Sequence, residues 1–293
     1  MKAAAFSYTR PSSVAEAVSL LRSRAGEARV LAGGQSLVPM LGMRIMRPAL
    51  LVDVNELELE LGRIDVDGDD TVVGALVRYA EIETDPEIAE RLPLLAHVVL
   101  RIGDRQVRNR GTIGGALAQS DPTGEMALAS LALDATLVLR DADGERDVPA
   151  REFFVGSYHN VLEPDELLVA VRFPRRPGRF AFFERGRKHN DFALVSIAAV
   201  ADVTPAQDGG APVLRNVRIA LGGVHDRPVL AEAAAAALEG RPCDAAAIAA
   251  AGELALEAID PPDDIRGSAE YRRHLVPVHV RRVLQDLARG DDA

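Results

Sequence analysis

The amino-acid sequence predicts an α+β protein with two domains, and three observations lead to this prediction. In the first half, short β-like runs alternate with glycine-containing turns and helical segments. Residues 174–179 are rich in proline and glycine, which extend neither a strand nor a helix, so a domain boundary is expected there. Beyond this break, three β-like runs precede three helical segments, the order typical of an α+β domain.

The length of 293 residues is sufficient for two hydrophobic cores. We expect a first domain over residues 1–175, divided into subdomains of about 1–55 and 56–175, and a second domain over residues 176–293.

In the first domain, Ser13 and Glu16 have the S-x-x-E spacing of a capping box, so a helix is expected to begin there. Strands are predicted over 29–32 and 50–54, on either side of a Gly-Gly turn, which suggests a small α/β lobe. An apolar face at helical spacing predicts one helix over 86–102. The other elements expected in this domain are a β-hairpin over 64–73, a helix over 126–133, and strands over 135–140 and 167–173 with a hairpin turn at 141–144.

The second domain is expected to place its strands before its helices. The β-like runs cover 180–184, 192–203 and 213–221, and the helical stretches cover 230–238, 245–259 and 271–287.

The sequence offers little that would hold a metal ion. Cys243 is the only cysteine, which excludes disulfides within the chain, a four-thiolate iron–sulfur cluster and a Cys-rich zinc site. We interpret it as a small buried apolar residue. The acidic turn after Asp65 does not fit an EF-hand, because Gly68 falls at the fourth position of the loop rather than the sixth.

Charge and hydropathy restrict the partners and the location. The formal net charge is −10, which argues against nucleic acid as a partner because phosphate binding needs a basic surface. No apolar run approaches the roughly 20 residues that span a bilayer, and the N-terminus lacks the apolar stretch of a signal peptide. We therefore expect a cytoplasmic protein without a membrane span.

Two glycine-rich loops are the candidate binding site. Paired glycines allow the backbone to approach another group closely, and successive N–H groups can form a nest for a pyrophosphate. A chain without a GxGxxG or Walker A motif points away from a Rossmann site and a P-loop, and each Gly-Gly pair could also be only a tight turn. Asp121 and Glu125 could accept ribose hydroxyls or cap the helix that begins near Met126. The residues of the two loops are Ala32, Gly33, Gly34, Gln35, Ser36 and Leu37 in the first and Thr112, Ile113, Gly114, Gly115 and Ala116 in the second.

Four segments, in order along nearly the whole chain, carry a resemblance to a known family: residues 31–53, 106–115, 162–168 and 263–273. The sequence resembles the medium, FAD-binding subunit of the molybdenum hydroxylases, a family that includes aerobic carbon monoxide dehydrogenase and xanthine dehydrogenase. The resemblance implies a p-cresol methylhydroxylase-type FAD-binding domain, made of two α/β subdomains, followed by a C-terminal α+β domain with a β-sheet and three helices.

By this resemblance, residues 32–36 and 112–116 contact the pyrophosphate and the ribityl chain of FAD. Ile102 and Phe192 are expected to flank the isoalloxazine ring, with packing in the core as the alternative for both. Glu125 replaces an aspartate of the family. The other residues expected at the cofactor are Leu37, Asp121 and Leu168, and the flavin is expected to be non-covalent because neither loop contains histidine or cysteine.

The resemblance also implies partners. A large subunit would carry the molybdenum cofactor and a small subunit two [2Fe–2S] clusters. They would assemble with this chain as a dimer of heterotrimers that passes electrons through FAD to NAD or a quinone-type acceptor. No catalytic residue is expected in this chain, because the substrate pocket of the family lies on another subunit. The alternatives are a stand-alone FAD-dependent oxidoreductase of the same fold and a flavin-free scaffold subunit.

Overall fold

The described residues form three larger β-sheets, of three, five and four strands, each with its own helices, and one small sheet of two strands. The computed structural model describes residues 2–176, 178–188, 191–206 and 209–290. Pro177, inside the predicted boundary segment, lies outside these described residues. The order of strands and helices confirms the predicted α+β class.

The first lobe is a parallel three-stranded sheet in the order β1-β3-β2, so the predicted small α/β lobe is confirmed. Ser13 begins the first helix, and its hydroxyl accepts a hydrogen bond from the N–H of Glu16 at 3.2 Å. In a capping box the Glu16 carboxylate would also accept a hydrogen bond from the N–H of Ser13. This part of the prediction is wrong, because the carboxylate accepts instead from the N–H of Ser12, at 2.7 Å. The elements of this lobe are β1 (Ser7–Thr9), α1 (Val14–Ser23), β2 (Ala28–Leu31), α2 (Leu37–Gly42) and β3 (Leu50–Asp53).

The second sheet has five antiparallel strands in the order β4-β5-β10-β6-β7. Both predicted hairpins are confirmed, as β4–β5 and β6–β7. The elements are α3 (Glu58–Leu61), β4 (Ile64–Asp67), β5 (Asp70–Gly74), α4 (Tyr79–Ile82), α5 (Pro86–Arg91), α6 (Pro93–Val99), α7 (Arg105–Arg108), α8 (Ile113–Gln119), α9 (Glu125–Ala132), β6 (Thr136–Arg140), β7 (Glu145–Pro149), α10 (Ala150–Phe153), β8 (Phe154–Gly156), β9 (His159–Asn160) and β10 (Leu167–Phe173).

The single helix predicted over 86–102 is wrong. Helix α5 ends at Arg91 and α6 begins at Pro93, with Leu92 between them at φ −130° and ψ 55°. Proline has no N–H to donate and disfavours a helical conformation in the residue before it. The helix therefore breaks at Leu92, although the apolar spacing continues across the break.

The third sheet is antiparallel, in the order β11-β12-β13-β14. Strand β12 begins at Val195, so Phe192 precedes it instead of starting it, and the predicted helix over 245–259 ends as a 3₁₀ turn, Ala255–Ala258. The elements are β11 (Arg179–Arg185), β12 (Val195–Thr204), β13 (Val213–Gly222), β14 (Val229–Leu230), α11 (Glu232–Leu238), α12 (Ala245–Leu254) and α13 (Ala269–Arg289).

Helix α9 joins the second and third sheets. Every residue from Met126 to Ala132 is buried, and all but Ser130 belong to the same core cluster as Phe182, Ala198 and Ala220 of the third sheet. The opposite face of the third sheet packs on α11, α12 and α13 in a separate core. The start of α9 is therefore held at the junction of the two sheets.

Within the described residues, no helix is both long and apolar enough to cross a membrane. The cytoplasmic location and the domain division at residues 175–176 stay predictions.

Candidate functional site

The two glycine loops lie against each other. A Cβ atom on Gly33 would lie 2.1 Å from the carbonyl oxygen of Arg110 and 3.0 Å from the Cα of Gly111. Side chains do not tolerate such distances to backbone atoms, so position 33 requires glycine. The structure thus brings together two segments that are far apart in the sequence.

The first loop offers a row of backbone donors. In the described part of the chain, no protein acceptor bonds the N–H groups of the four successive residues 33–36. Gly34 has φ +73°, a conformation that favours glycine, and it turns the chain between β2 and α2. The Gln35 amide donates to the carbonyl oxygen of Gly33 at 3.1 Å. Consecutive unpaired N–H groups are the donor set of an anion-binding nest.

The second loop differs from the first, because its N–H groups are already used within the protein. Gly114 donates to the carbonyl oxygen of Ala75 at 3.0 Å, and Gly115 donates to the hydroxyl oxygen of Thr112 at 3.1 Å. Ile113 and Ala116 donate to backbone carbonyl groups as well. The glycine pair here serves close packing: a Cβ on Gly114 would lie 2.5 Å from the Cβ of Ala75. The hydroxyl proton of Thr112 has no acceptor among the described residues, but Thr112 is only 2% exposed.

Asn55 and Arg78, which the sequence analysis missed, connect the two loops. The Asn55 amide donates to the carbonyl oxygen of Ala32 at 3.0 Å, in the first loop. The Arg78 guanidinium donates to the amide oxygen of Asn55 at 2.6 Å and to the carbonyl oxygen of Arg110 at 2.5 Å, beside the second loop. Asn55 follows β3, which is the parallel neighbour of β2, so its place beside the first loop could have been predicted. No local sequence signal identifies Arg78.

Glu125 lies at the start of α9, and burial raises its pKa to about 8, with further contributions from the nearby carboxylates of Glu184 and Asp121. Burial likewise raises the pKa of Glu184 to about 7, against the opposing charge of Arg101. Glu184 Oε2 is buried without a hydrogen-bond partner in the described residues. The structure therefore brings two carboxyl groups together at the junction of the second and third sheets, where at least one is protonated at neutral pH.

Asp121 does not cap α9. Its carboxylate accepts hydrogen bonds from the N–H and hydroxyl groups of Thr123, at 2.9 and 2.7 Å, and from the Tyr158 hydroxyl at 3.2 Å. Gly124 occupies the N-cap position of the helix. The capping alternative is thus wrong for Asp121, whose bonds shape the turn before the helix.

The apolar candidates differ in how much of each side chain is exposed. Ile102 and Leu168 are 8% and 4% exposed and belong to one core cluster, which also packs against Ala116. Leu37 is half-buried in the first turn of α2. Phe192 is 50% exposed, and the Arg266 guanidinium carbon lies 4.6 Å from its ring centroid. Core packing accounts for Ile102 and Leu168 in this structure but leaves the Phe192 ring available to a ligand.

Cys243 is 4% exposed, which confirms that it is a buried apolar residue, and burial raises its thiol pKa to about 11. Among the described residues, no group of three or more His, Cys, Asp or Glu side chains could hold a metal ion.

Comparisons with known proteins cover nearly the whole chain. Residues 4–176 match the family described as the FAD binding domain in molybdopterin dehydrogenase, and residues 180–287 match the CO dehydrogenase flavoprotein C-terminal domain. The glyceraldehyde dehydrogenase medium chain of Sulfolobus acidocaldarius is 34% identical, over 97% of this chain and 98% of that protein. The carbon monoxide dehydrogenase medium chain of Hydrogenophaga pseudoflava is 36% identical, over 95% and 96%.

A solved structure gives the same result for the fold. Carbon monoxide dehydrogenase from Hydrogenophaga pseudoflava, in a form lacking the Mo-pyranopterin moiety of its molybdenum cofactor, has a chain that superimposes with a TM-score of 0.94 at 38% identity, covering 100% of both chains. The chain belongs to the family of FAD-binding subunits of the molybdenum hydroxylases, and it is an oxidoreductase subunit with the mixed α/β fold of a carbon monoxide dehydrogenase medium chain.

Proposed function

We propose that the two glycine loops bind the pyrophosphate of FAD, with the first loop supplying most of the donors. The observation that carries this proposal is the row of four N–H groups at residues 33–36, for which the described residues provide no acceptor. A chain with a net charge of −10 gains most from neutral backbone donors when it holds an anion. The close packing of Gly33 on Arg110 keeps a side chain out of the space between the loops.

Glu125 fits the sugar hydroxyls of the cofactor. A carboxyl group with a pKa of about 8 is mainly protonated at neutral pH, so it donates one hydrogen bond and accepts others. In that form it also does not repel the diphosphate. Asp121, held by Thr123 and Tyr158, borders the same region as a second acceptor.

Phe192 fits the ring end of the cofactor, since half of its surface is exposed beside Arg266. Ile102, Leu37, Leu168 and Ala116 form the apolar surroundings of the site in this proposal. Neither loop contains a histidine or cysteine, so the flavin is bound without a covalent link.

The assembly we propose contains a large subunit with the molybdenum cofactor and a small subunit with [2Fe–2S] clusters, as a dimer of heterotrimers. The names of the relatives as medium chains support such an assembly. When bound, FAD supplies the redox centre that takes electrons from the clusters of the partner and gives them to NAD or a quinone-type acceptor. The residues of this chain bind and shield the cofactor, and the oxidation of the substrate takes place on the large subunit. We place the boundary between the two domains at residues 175–176, close to the gap at residues 177–179 between the two family matches.

The experiment is to purify the chain alone and together with the large and small subunits proposed above. We expect both preparations to show the visible absorption of oxidised flavin and to release FAD on heat denaturation. Under anaerobic conditions, the substrate should bleach the flavin only in the complex, and added NAD or quinone should restore the colour.

Each alternative predicts a different outcome. A colourless chain that takes up no FAD would support the scaffold alternative and contradict the binding proposal. Reduction of the flavin by substrate in the isolated chain would support the stand-alone enzyme. Covalent retention of the flavin after denaturation would contradict non-covalent binding.

A further inference from the structure

We propose that Asn55 and Arg78 form a clamp that sets the spacing between the two glycine loops and thereby the affinity for FAD. This inference rests on the proposed FAD site, and it assigns a positioning role to two residues outside both loops. Neither residue needs to contact the cofactor.

The need for a clamp follows from the architecture. The first loop leaves the parallel three-stranded sheet after β2, whereas the second loop forms the N-cap and first turn of α8, which packs against β10 of the five-stranded sheet. No backbone hydrogen bond joins residues 32–36 to residues 110–116 within the described chain. The loops touch where Gly33 packs on Arg110, but packing alone does not fix how the donors of one loop face those of the other.

Asn55 provides the half of the clamp on the side of the first loop. Its backbone N–H donates to the Asp53 carboxylate at 3.0 Å, and its amide group donates to the same carboxylate at 2.5 Å. Although burial alone would raise the pKa of Asp53, hydrogen bonds from Tyr8 and Asn55 lower it, so this carboxylate is a charged anchor. The Asn55 amide is thereby oriented, with its nitrogen toward Ala32 and its oxygen toward Arg78.

Arg78 provides the other half. One guanidinium nitrogen donates to Asn55 and another to the carbonyl oxygen of Arg110. This geometry uses the planar fork of arginine, which lysine cannot reproduce from its single ammonium group. The backbone of Arg78 is itself fixed, because its N–H donates to the Glu81 carboxylate at 2.6 Å. A continuous chain of hydrogen bonds therefore runs from Ala32 to Arg110, through Asn55 and Arg78.

A site whose two halves are held in the bound arrangement loses less conformational entropy when the ligand binds. Release of the clamp should therefore weaken FAD binding more than it weakens the fold.

The test compares three variants of the full chain, Arg78→Lys, Asn55→Ala and Arg78→Met, with the wild type. The matched control is Arg91→Lys, since Arg91 also bridges two groups, the Thr71 hydroxyl at 3.0 Å and the Asp69 carbonyl oxygen at 2.7 Å, on the β4–β5 hairpin. After removal of flavin, the dissociation constant for added FAD is measured by equilibrium dialysis, and the urea midpoint of the flavin-free chain is measured in parallel.

We expect Arg78→Lys and Asn55→Ala each to raise the dissociation constant about tenfold or more, as for the loss of a hydrogen bond to a charged group. The double variant Asn55→Ala/Arg78→Lys, prepared in addition to the three single variants, should be little worse than either of its single variants, because both substitutions break the same bridge. Arg91→Lys should bind FAD like the wild type, even if its urea midpoint falls by as much as that of Arg78→Lys.

Two outcomes would overturn the clamp while leaving the FAD site intact. The first is wild-type affinity in Arg78→Lys with loss only in Arg78→Met, which would show that the charge of Arg78 acts rather than its fork. The second is an equal fall in FAD affinity in Arg78→Lys and Arg91→Lys when both have the same urea midpoint. That result would show that reduced stability, and not release of the clamp, weakens FAD binding. A wild-type chain that binds no FAD would overturn the proposed function itself, and the clamp with it.

Discussion

Gly33 packs on the carbonyl group of Arg110 so closely that a Cβ atom would lie 2.1 Å from the oxygen. Gly33→Ala must therefore push the two glycine loops apart. We expect a loss of stability of about 1–3 kcal/mol, as for other overpacked sites, and a clear fall in FAD affinity. Urea denaturation and equilibrium dialysis measure the two effects.

Gly156→Ala is the control for this substitution. A Cβ at that position would meet only the Asp226 carboxylate, with the nearest oxygen at 3.3 Å. If Gly33→Ala kept the FAD affinity of the wild type, contact between the loops would not be part of the site.

Glu125 should make stability depend on pH. Its folded-state pKa of about 8 lies above the ordinary value of 4.5, so the folded chain holds more protons than the unfolded chain between these values. The free energy of unfolding of the wild type should therefore fall as pH rises through this window and level off above pH 8. The fall should be about 1.4 kcal/mol for each unit of pKa difference that the protein maintains.

Glu125→Gln removes this contribution, so its stability should fall less than that of the wild type between pH 5 and pH 8. Urea denaturation of the flavin-free chain at several pH values gives the comparison. Glu184→Gln is the companion variant. Loss of the Glu184 charge should lower the pKa of Glu125, so the fall in the free energy of unfolding that Glu125 causes should occur at lower pH. Parallel curves for Glu125→Gln and the wild type would refute the raised pKa.

Arg272 should be a strong determinant of stability. Its side chain is 1% exposed and donates to the carbonyl oxygens of Leu194 and Gly223 at 2.7 and 2.8 Å and to the Asp264 carboxylate at 2.8 Å. Arg272→Met leaves these acceptors without their donor, and we expect a loss of about 3–5 kcal/mol.

The neighbouring Arg273 is exposed and provides the control. Arg273→Met should change the urea midpoint little, because surface substitutions away from such networks usually have small effects. Equal losses in the two variants would mean that the buried hydrogen bonds of Arg272 contribute nothing specific.

The sequence predicted the parts of the fold that depend on local chemistry. Ser13 marks the start of α1, the alternating runs give the β4–β5 hairpin, and the proline- and glycine-rich segment at 174–179 separates β10 from β11. The break at Pro93 was missed because the apolar spacing continues on the same face across both helices. In that case a local rule for proline was the better guide than the periodicity.

The sequence predicted the two loops of the candidate site but not how the hydrogen bonding of their N–H groups differs. Both loops contain Gly-Gly, yet in the described part of the chain only the first has a run of N–H groups without a protein acceptor. The N–H of Gly114 is taken by Ala75, which precedes α4 and is distant in the sequence. Arg78 was missed for the same reason, since its partners Asn55 and Arg110 come near it only through the tertiary fold.

Cys243 should react slowly with thiol reagents in the folded chain. Burial, together with the neighbouring charge of Asp244, raises its pKa to about 11, from an ordinary value of 9.0. The thiolate is the reactive form, so at a given pH below both values the folded protein should contain about a hundredfold less of it than an exposed cysteine. Alkylation by iodoacetamide at pH 8, followed by mass spectrometry, should be slow in buffer and rapid in urea. The rate in buffer should rise steadily as the pH approaches the thiol pKa. Rapid labelling of the folded chain at pH 8 would instead show that the region around β13 and α12 opens readily, since burial is the cause of the raised pKa.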